Sequence, residues 1–239
     1  MQKLTKGITY FIRVLAILLI GVNIVRLFEN FEFLFFLQRP VPLALLNSVV
    51  LLLYTYIRSL LKRINIEISD LLYLLASISM LLTFVLGLLF AFYQVVPGYD
   101  SFAHFINGGL LVLLGIMILS ALVKKETLKE LSPFFIVLFA FSFASALGMV
   151  WELVEYASDG LFGSNMQRFR ETTVVDGVAI FGDDFVGRKV LFDTMKDIIL
   201  NSLGSLIVCF FLYFDLKRPT PYMHQMYIKR IPKKEELVN

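Results

Sequence analysis

Cysteine occurs once in the 239 residues, at Cys209, so a disulfide framework and a CxxC metal or redox site are both excluded. Its place inside an apolar run makes it a small packing residue. Charge is scarce as well. Only 17% of residues are Asp, Glu, Lys or Arg, against 58% hydrophobic, too few to solvate the surface of a water-soluble domain. No HExxH or comparable metal signature occurs, no internal repeat is evident, and no linker divides the chain. A net charge of +3 confined to loops gives no reason to expect a nucleic-acid partner.

What the sequence has in quantity is long apolar runs. Six are long enough to cross about 30 Å of hydrocarbon at 1.5 Å per residue, near residues 8–28, 41–61, 70–93, 102–123, 133–156 and 192–214. The expected fold class is therefore an all-α, polytopic membrane helical bundle of about six transmembrane helices. It forms a single integral membrane domain over 1–239: three spans in 1–97, three site-bearing spans in 98–215, and a basic tail in 216–239. The first run follows lysines but exceeds a signal sequence in length and lacks a cleavage site, so it is expected to stay as a span. Arg39-Pro40 and Pro42 mark the start of the second span, Pro97-Gly98 that of the fourth, and Ser132-Pro133 that of the fifth. With the N-terminus cytoplasmic, fifteen of the 22 basic residues fall on the inner side, among them Lys3, Arg63, Lys124, Lys125, Lys217, Lys233 and Lys234, placing both termini inside. The tail, with Lys229 and Arg230, reads as a juxtamembrane anchor, and His224 there has no acidic neighbour.

Carboxylates interrupt these runs. Glu152 and Glu155 in LGMVWELVEY lie three residues apart on one helical face, and an acid at membrane depth costs about 2.5–3.5 kcal/mol. They need partners. Asp100, His104 and Gly108 recur at intervals of four on the fourth span with Asn107 beside them, and Asp193, Asp197 and Asn201 do so on the sixth, running into Gly204 and Ser205. The inferred topology brings all three polar stripes to one level near the outer leaflet, with Gly148, Ser145 and Ser142 below Glu152. Taken singly, Asp100 reads as a cap and Asp193 as a dipole partner. Taken together, five acids around one imidazole, with Lys196 nearby, must be neutralised by protons or by a divalent ion, Mn²⁺, Zn²⁺, Mg²⁺ or Ca²⁺. The candidate metal ligands are Asp100, His104, Glu152, Glu155, Asp193 and Asp197, with Asn201 in support. Glu152, Glu155 and His104 are the candidate catalytic groups.

The long connection from about Ala157 to Leu191 carries a β-branched stretch around Asp176-Gly177, a two-residue hairpin signal, so a short outer hairpin is expected between helices five and six. Arg168, Arg170, Arg188 and Lys189 on it are candidates to meet phosphate groups.

The segments YDSFAHFINGG, SFASALGMVWELVEYASDGLFG and DTMKDIILNSLGSL resemble the YjdF-like family of uncharacterised bacterial membrane proteins and, more distantly, the VanZ-like family associated with teicoplanin resistance. The likeness covers about residues 98–207 and implies a multi-pass protein of the bacterial cell membrane with a common site at Asp100, His104, Glu152, Glu155, Asp193, Asp197 and Asn201. The hairpin connection is longer than the VanZ-like pattern has. A metal-dependent hydrolase or transferase, acting among membrane lipids on a lipid-linked or cell-envelope substrate with Glu152 or Glu155 as general base, is the leading expectation. A proton- or cation-coupled transporter and a non-catalytic scaffold are the alternatives.

The topology is open to direct test. Reporters fused after Lys125 and after Arg218 are expected to read as cytoplasmic and one near Asn165 as external; an external signal at Lys125 would reverse the bundle and move the acids to the inner leaflet.

Overall fold

The structure is a computed structural model that describes residues 2–28, 41–175, 178–222 and 228–230. Its elements run α1 (Gln2–Phe28), α2 (Val41–Tyr54), α3 (Ile57–Arg63), β1 (Ile66–Ile68), α4 (Asp70–Met80) continuing as a π-helix (Leu81–Leu89), and α5 (Phe92–Val95). There follow α6 (Tyr99–Leu122), α7 (Lys125–Glu130), α8 (Pro133–Phe162), β2 (Arg170–Val175), β3 (Val178–Asp184), a 3₁₀ turn (Gly187–Leu191), α9 (Phe192–Leu216) and β4 (Ile228–Arg230). Among the described residues, five helices are long and apolar enough to cross a membrane, or six when α2 and α3 count as one bent span. The fold is the all-α membrane bundle that the apolar runs require.

Where the helices start and stop follows local chemistry. Ser132 caps α8 by accepting a hydrogen bond from the Phe135 amide, with Pro133 at the first helical position, and Ser69 caps α4 through the Leu72 amide. The second span is not continuous: α3 leaves α2 at 53°. Thr55 marks the break, because its hydroxyl bonds back to the Leu52 carbonyl and Arg13 takes both its hydroxyl and its carbonyl, which is then unavailable to the next turn. The third span also stops early. Ala91 adopts φ 57°, so Tyr93 stands on the separate short turn α5 rather than at the end of the span. Conversely, α8 runs past residue 156 to Phe162 before Gly163, at φ 62°, ends it. Glu152 and Glu155 thus lie inside the helix, not at its end.

Two packed clusters fill the bundle. Ile12, Ala16, Ala44, Leu51, Val85 and Leu89 join α1, α2 and the π-helix, while Val112, Ile116, Ala140, Ala144, Cys209 and Leu212 join α6, α8 and α9. Large apolar side chains such as Phe11, Phe102, Leu153, Tyr156 and Phe211 face outward, as lipid contact requires. The hairpin forms as expected, β2 pairing antiparallel with β3 and Val175 opposite Val178; the Asp176-Gly177 turn lies outside the described residues. β4 pairs with β1, which ties the tail to the α3–α4 connection. Arg39-Pro40, His224, Lys233 and Lys234 and the side chains of Lys125, Lys229 and Arg230 lie outside the described residues.

The contact between α6 and α9 positions everything below. A methyl group on Gly108 would run into the Asn201 backbone carbonyl, and one on Gly204 into that of Phe105. On α8, a Cβ at Gly148 would stand 2.6 Å from Asn201 Nδ2. Ser205 Oγ, fully buried, donates to Gly108 O at 3.0 Å across the same seam. Small residues therefore let three backbones meet around Asn201. Gly108→Ala is expected to lower stability by about 1–3 kcal/mol through overpacking, whereas Gly7→Ala, which meets nothing within 4 Å, should leave it equal or raised. Thermal unfolding in detergent checks this, and equal behaviour of the two variants would refute the tight seam.

Candidate functional site

Above that seam, all seven residues singled out by spacing come together. Asp100, His104, Glu152, Glu155, Asp193, Asp197 and Asn201 are each buried, with relative exposures from 1% to 8%. The first turn of α6 supplies Asp100 and then His104; α9 supplies Asp193 in its first turn, then Asp197 and Asn201; α8 supplies Glu152 and Glu155 from its interior. The N-termini of α6 and α9 add their positive dipole ends, about half an elementary charge each.

His104 is the hub. Its Nε2 lies 3.4 Å from Asp100 Oδ1, 3.9 Å from Glu155 Oε1 and 3.9 Å from Asp197 Oδ2, reaching an acid on each of the three helices. The acids around it divide into two groups. Asp100, Asp193 and Asp197 share Lys196, whose Nζ lies 3.4, 2.5 and 3.5 Å from them. Arg168 adds a second cation, 3.7 Å from both Asp100 and Asp193. The glutamates receive no such help: Glu155 accepts a 2.6 Å hydrogen bond from Trp151 Nε1, and both oxygens of Glu152 are buried without a hydrogen-bond partner. Thr194 stands close to Glu152 but outside hydrogen-bonding geometry.

The charge balance is uneven as a result. Five carboxylates face two permanent cations, Lys196 and Arg168, an excess of three negative charges when His104 is neutral. Burying an uncompensated carboxylate costs several kcal/mol, so the excess must be met by protons or by a bound cation at the glutamate end. Among the described residues, two groups offer ligand atoms within 4.8 Å of one another: Asp100, His104 and Asp197, and His104, Glu152 and Glu155. Asp193 belongs to neither and is occupied by Lys196. The donor set of carboxylate oxygens and one imidazole suits the hard and borderline divalent ions.

Arg168, a candidate phosphate contact on the hairpin connection, enters the site beside Asp100 and Asp193, while Arg170 pairs with exposed Asp184, Lys189 stacks over Phe185 and Arg188 is exposed. Asp159 explains how. One turn beyond Glu155, it accepts hydrogen bonds from Ser164 Oγ and from the Met166 and Gln167 amides, folding the chain back after Gly163. Asn165 extends the device through Arg170 and Thr172, and Arg168, at φ 48°, donates to the Tyr93 carbonyl at 2.5 Å. Tyr93, on α5 outside the spans, is held neutral: burial first, then Asp100 and Glu155, push its phenol well above the ordinary value. Sequence spacing found none of Arg168, Asp159 and Tyr93, because each acts across a loop and leaves no periodic mark.

Residues 8–218 match the model of a family described as predicted membrane protein DUF2238. The chain belongs to the DUF2238 family. No curated protein and no solved structure matches it. The match spans all the apolar segments and every site residue, whereas the likeness seen in the motifs began only at residue 98. For DUF2238, membership establishes a multi-pass membrane protein, in agreement with the apolar helices.

In this DUF2238 chain the Asp159 anchor generates a prediction of its own. Hydrogen bonds to a charged acceptor contribute about 1.5–3 kcal/mol each and not additively, so Asp159→Ala is expected to cost about 3 kcal/mol. Trypsin cleavage after Arg168 should accelerate at least tenfold, with Asp183→Ala on the exposed strand as control; an unchanged cleavage rate would show that Asp159 does not hold the loop.

Proposed function

We propose that this protein is a divalent-metal-dependent hydrolase or transferase of the bacterial cell membrane, acting at the outer leaflet on a lipid-linked or cell-envelope substrate. The observation that carries the reading is the unpartnered, buried carboxylate of Glu152 beside His104 and Glu155. Structural cross-links satisfy their polar atoms; a group kept dry and unsatisfied is prepared for something that arrives. In this reading His104, Glu152 and Glu155 hold the ion, and Asp100 and Asp197, near the same imidazole nitrogen, complete the set. When bound, the ion supplies a Lewis acid that polarises a carbonyl or phosphoryl oxygen. Lys196 and Arg168 orient the aspartates. Glu152 suits the general base better than Glu155, whose Oε1 already accepts from Trp151. For hydrolysis, Glu152 takes a proton from water as its oxygen bonds to the carbonyl carbon or phosphorus. The bond to the leaving oxygen then breaks, and the proton passes to that oxygen.

Cation- or proton-coupled transport is the second reading. It draws on two interrupted spans, the bend after α2 and the π-helix, since carriers bind ions where helices break. Neither interruption supplies a ligand to the acid set. A purely structural role for the acids is opposed by the Glu152 oxygens, which bond nothing in the bundle.

An ion that binds only the folded protein stabilises it by about 2.7 kcal/mol at one hundred times Kd. Thermal stability in detergent is therefore expected to rise with one of Mn²⁺, Zn²⁺, Mg²⁺ or Ca²⁺ and to fall with chelator. Glu152→Gln should abolish the response while leaving the ion-free protein equal or more stable, because it relieves repulsion. No bound metal by elemental analysis and no response to any of the four would end the metal reading. Proton or ion uptake into sealed vesicles, lost in Glu152→Gln, would establish transport instead.

A further inference from the structure

A cavity of about 350 Å³ opens beside the site, between α4 with its π-helix, α6 and α8. Leu75, Ala76, Leu111, Leu114, Leu147 and Val150 are among its walls, and His104 and Trp151 stand at the end that meets the acids. The few polar groups in the wall are partly engaged with one another. Asn107 accepts from Ser79 at 2.6 Å and donates to Thr83 at 2.9 Å, Asn201 Nδ2 faces the Ala144 carbonyl at 3.5 Å, and the Trp151 N–H is spent on Glu155. Most of the wall is hydrocarbon, so a polar ligand would lose most of its hydration there. A hydrocarbon chain loses nothing. The π-helix, wider than an α-helix, forms the side facing α6.

We propose that this cavity seats one hydrocarbon chain of the substrate, so that the first polar atoms after the chain, an ester or phosphoester, are delivered to His104 and Glu152. The proposal rests on the hydrolase or transferase reading and names its substrate class: a lipid cleaved or modified where its chain meets its headgroup. The chain enters between the leucines of α4 and α6. Its headgroup stays on the acid side of His104. Binding energy from the remote chain would thus fix the reacting bond against the acids.

The probe is a neutral monoacylglycerol with a diazirine on its chain, applied to the full-length protein in lipid nanodiscs and mapped by peptide mass spectrometry. Labelling is expected on segments 72–84 and 107–114, beyond the background on outward Phe210 and Phe211. Ala76→Trp, which fills the middle of the cavity, should reduce the inner labelling at least fivefold without changing the outer. Leu114→Phe should do so for a long-chain probe and spare a short one, a length dependence that misfolding would not produce. Glu152→Gln should leave labelling intact. Labelling confined to outward residues, or unchanged in both filled variants, would overturn the proposal. Loss of inner labelling with the ion response preserved would fell the chain seat alone; inner labelling in a protein with no ion response would leave the chain seat standing and remove the metal chemistry.

Discussion

Backbone contact between α6 and α9, possible because Gly108 and Gly204 carry no Cβ, holds this molecule's polar centre together. Five acids in one small volume repel one another, and without a geometric constraint they would spread toward water. The seam supplies that constraint below the charges, with Asn201 wedged against Gly108 and Gly148 so that α8 is drawn into the same contact. His104 and Lys196 then connect the acids electrostatically from above. Packing sets the distances, and charge acts within them.

The arrangement separates two jobs that a cluster of acids usually confuses. Asp100, Asp193 and Asp197 are compensated by fixed cations and behave as part of the scaffold, while Glu152 and Glu155 remain with only an imidazole and an indole for company. In the metal-binding reading proposed above, the glutamate end is where a divalent ion would bind, with no fixed cation beside it to repel the ion.

Much of this was legible in the residues. Intervals of four on two helices and three on a third put Asp100, His104, Glu152, Glu155, Asp193, Asp197 and Asn201 on facing stripes, and helical periodicity is a property of local sequence. The hairpin was legible from β-branched residues around a turn pair. The bend at Thr55 was not, because it depends on Arg13 from another helix taking a carbonyl that hydropathy treats as satisfied. The arrival of Arg168 was hidden for the same reason: it follows from three hydrogen bonds to Asp159, each made across five to eight residues of irregular chain. Features built from local spacing could be read, and those built from tertiary hydrogen bonds could not.

The cavity beside His104 also bears on how the protein comes to be folded at all. Apolar walls with nothing against them forgo dispersion contacts, and this cavity is open on one side rather than sealed in the core. Helices α4, α6 and α8 gain little by closing around nothing. If a tail drawn from the membrane fills the cavity as proposed, the membrane is more than the solvent in which the bundle assembles, and a bundle stripped by harsh detergent would lose part of its own interior.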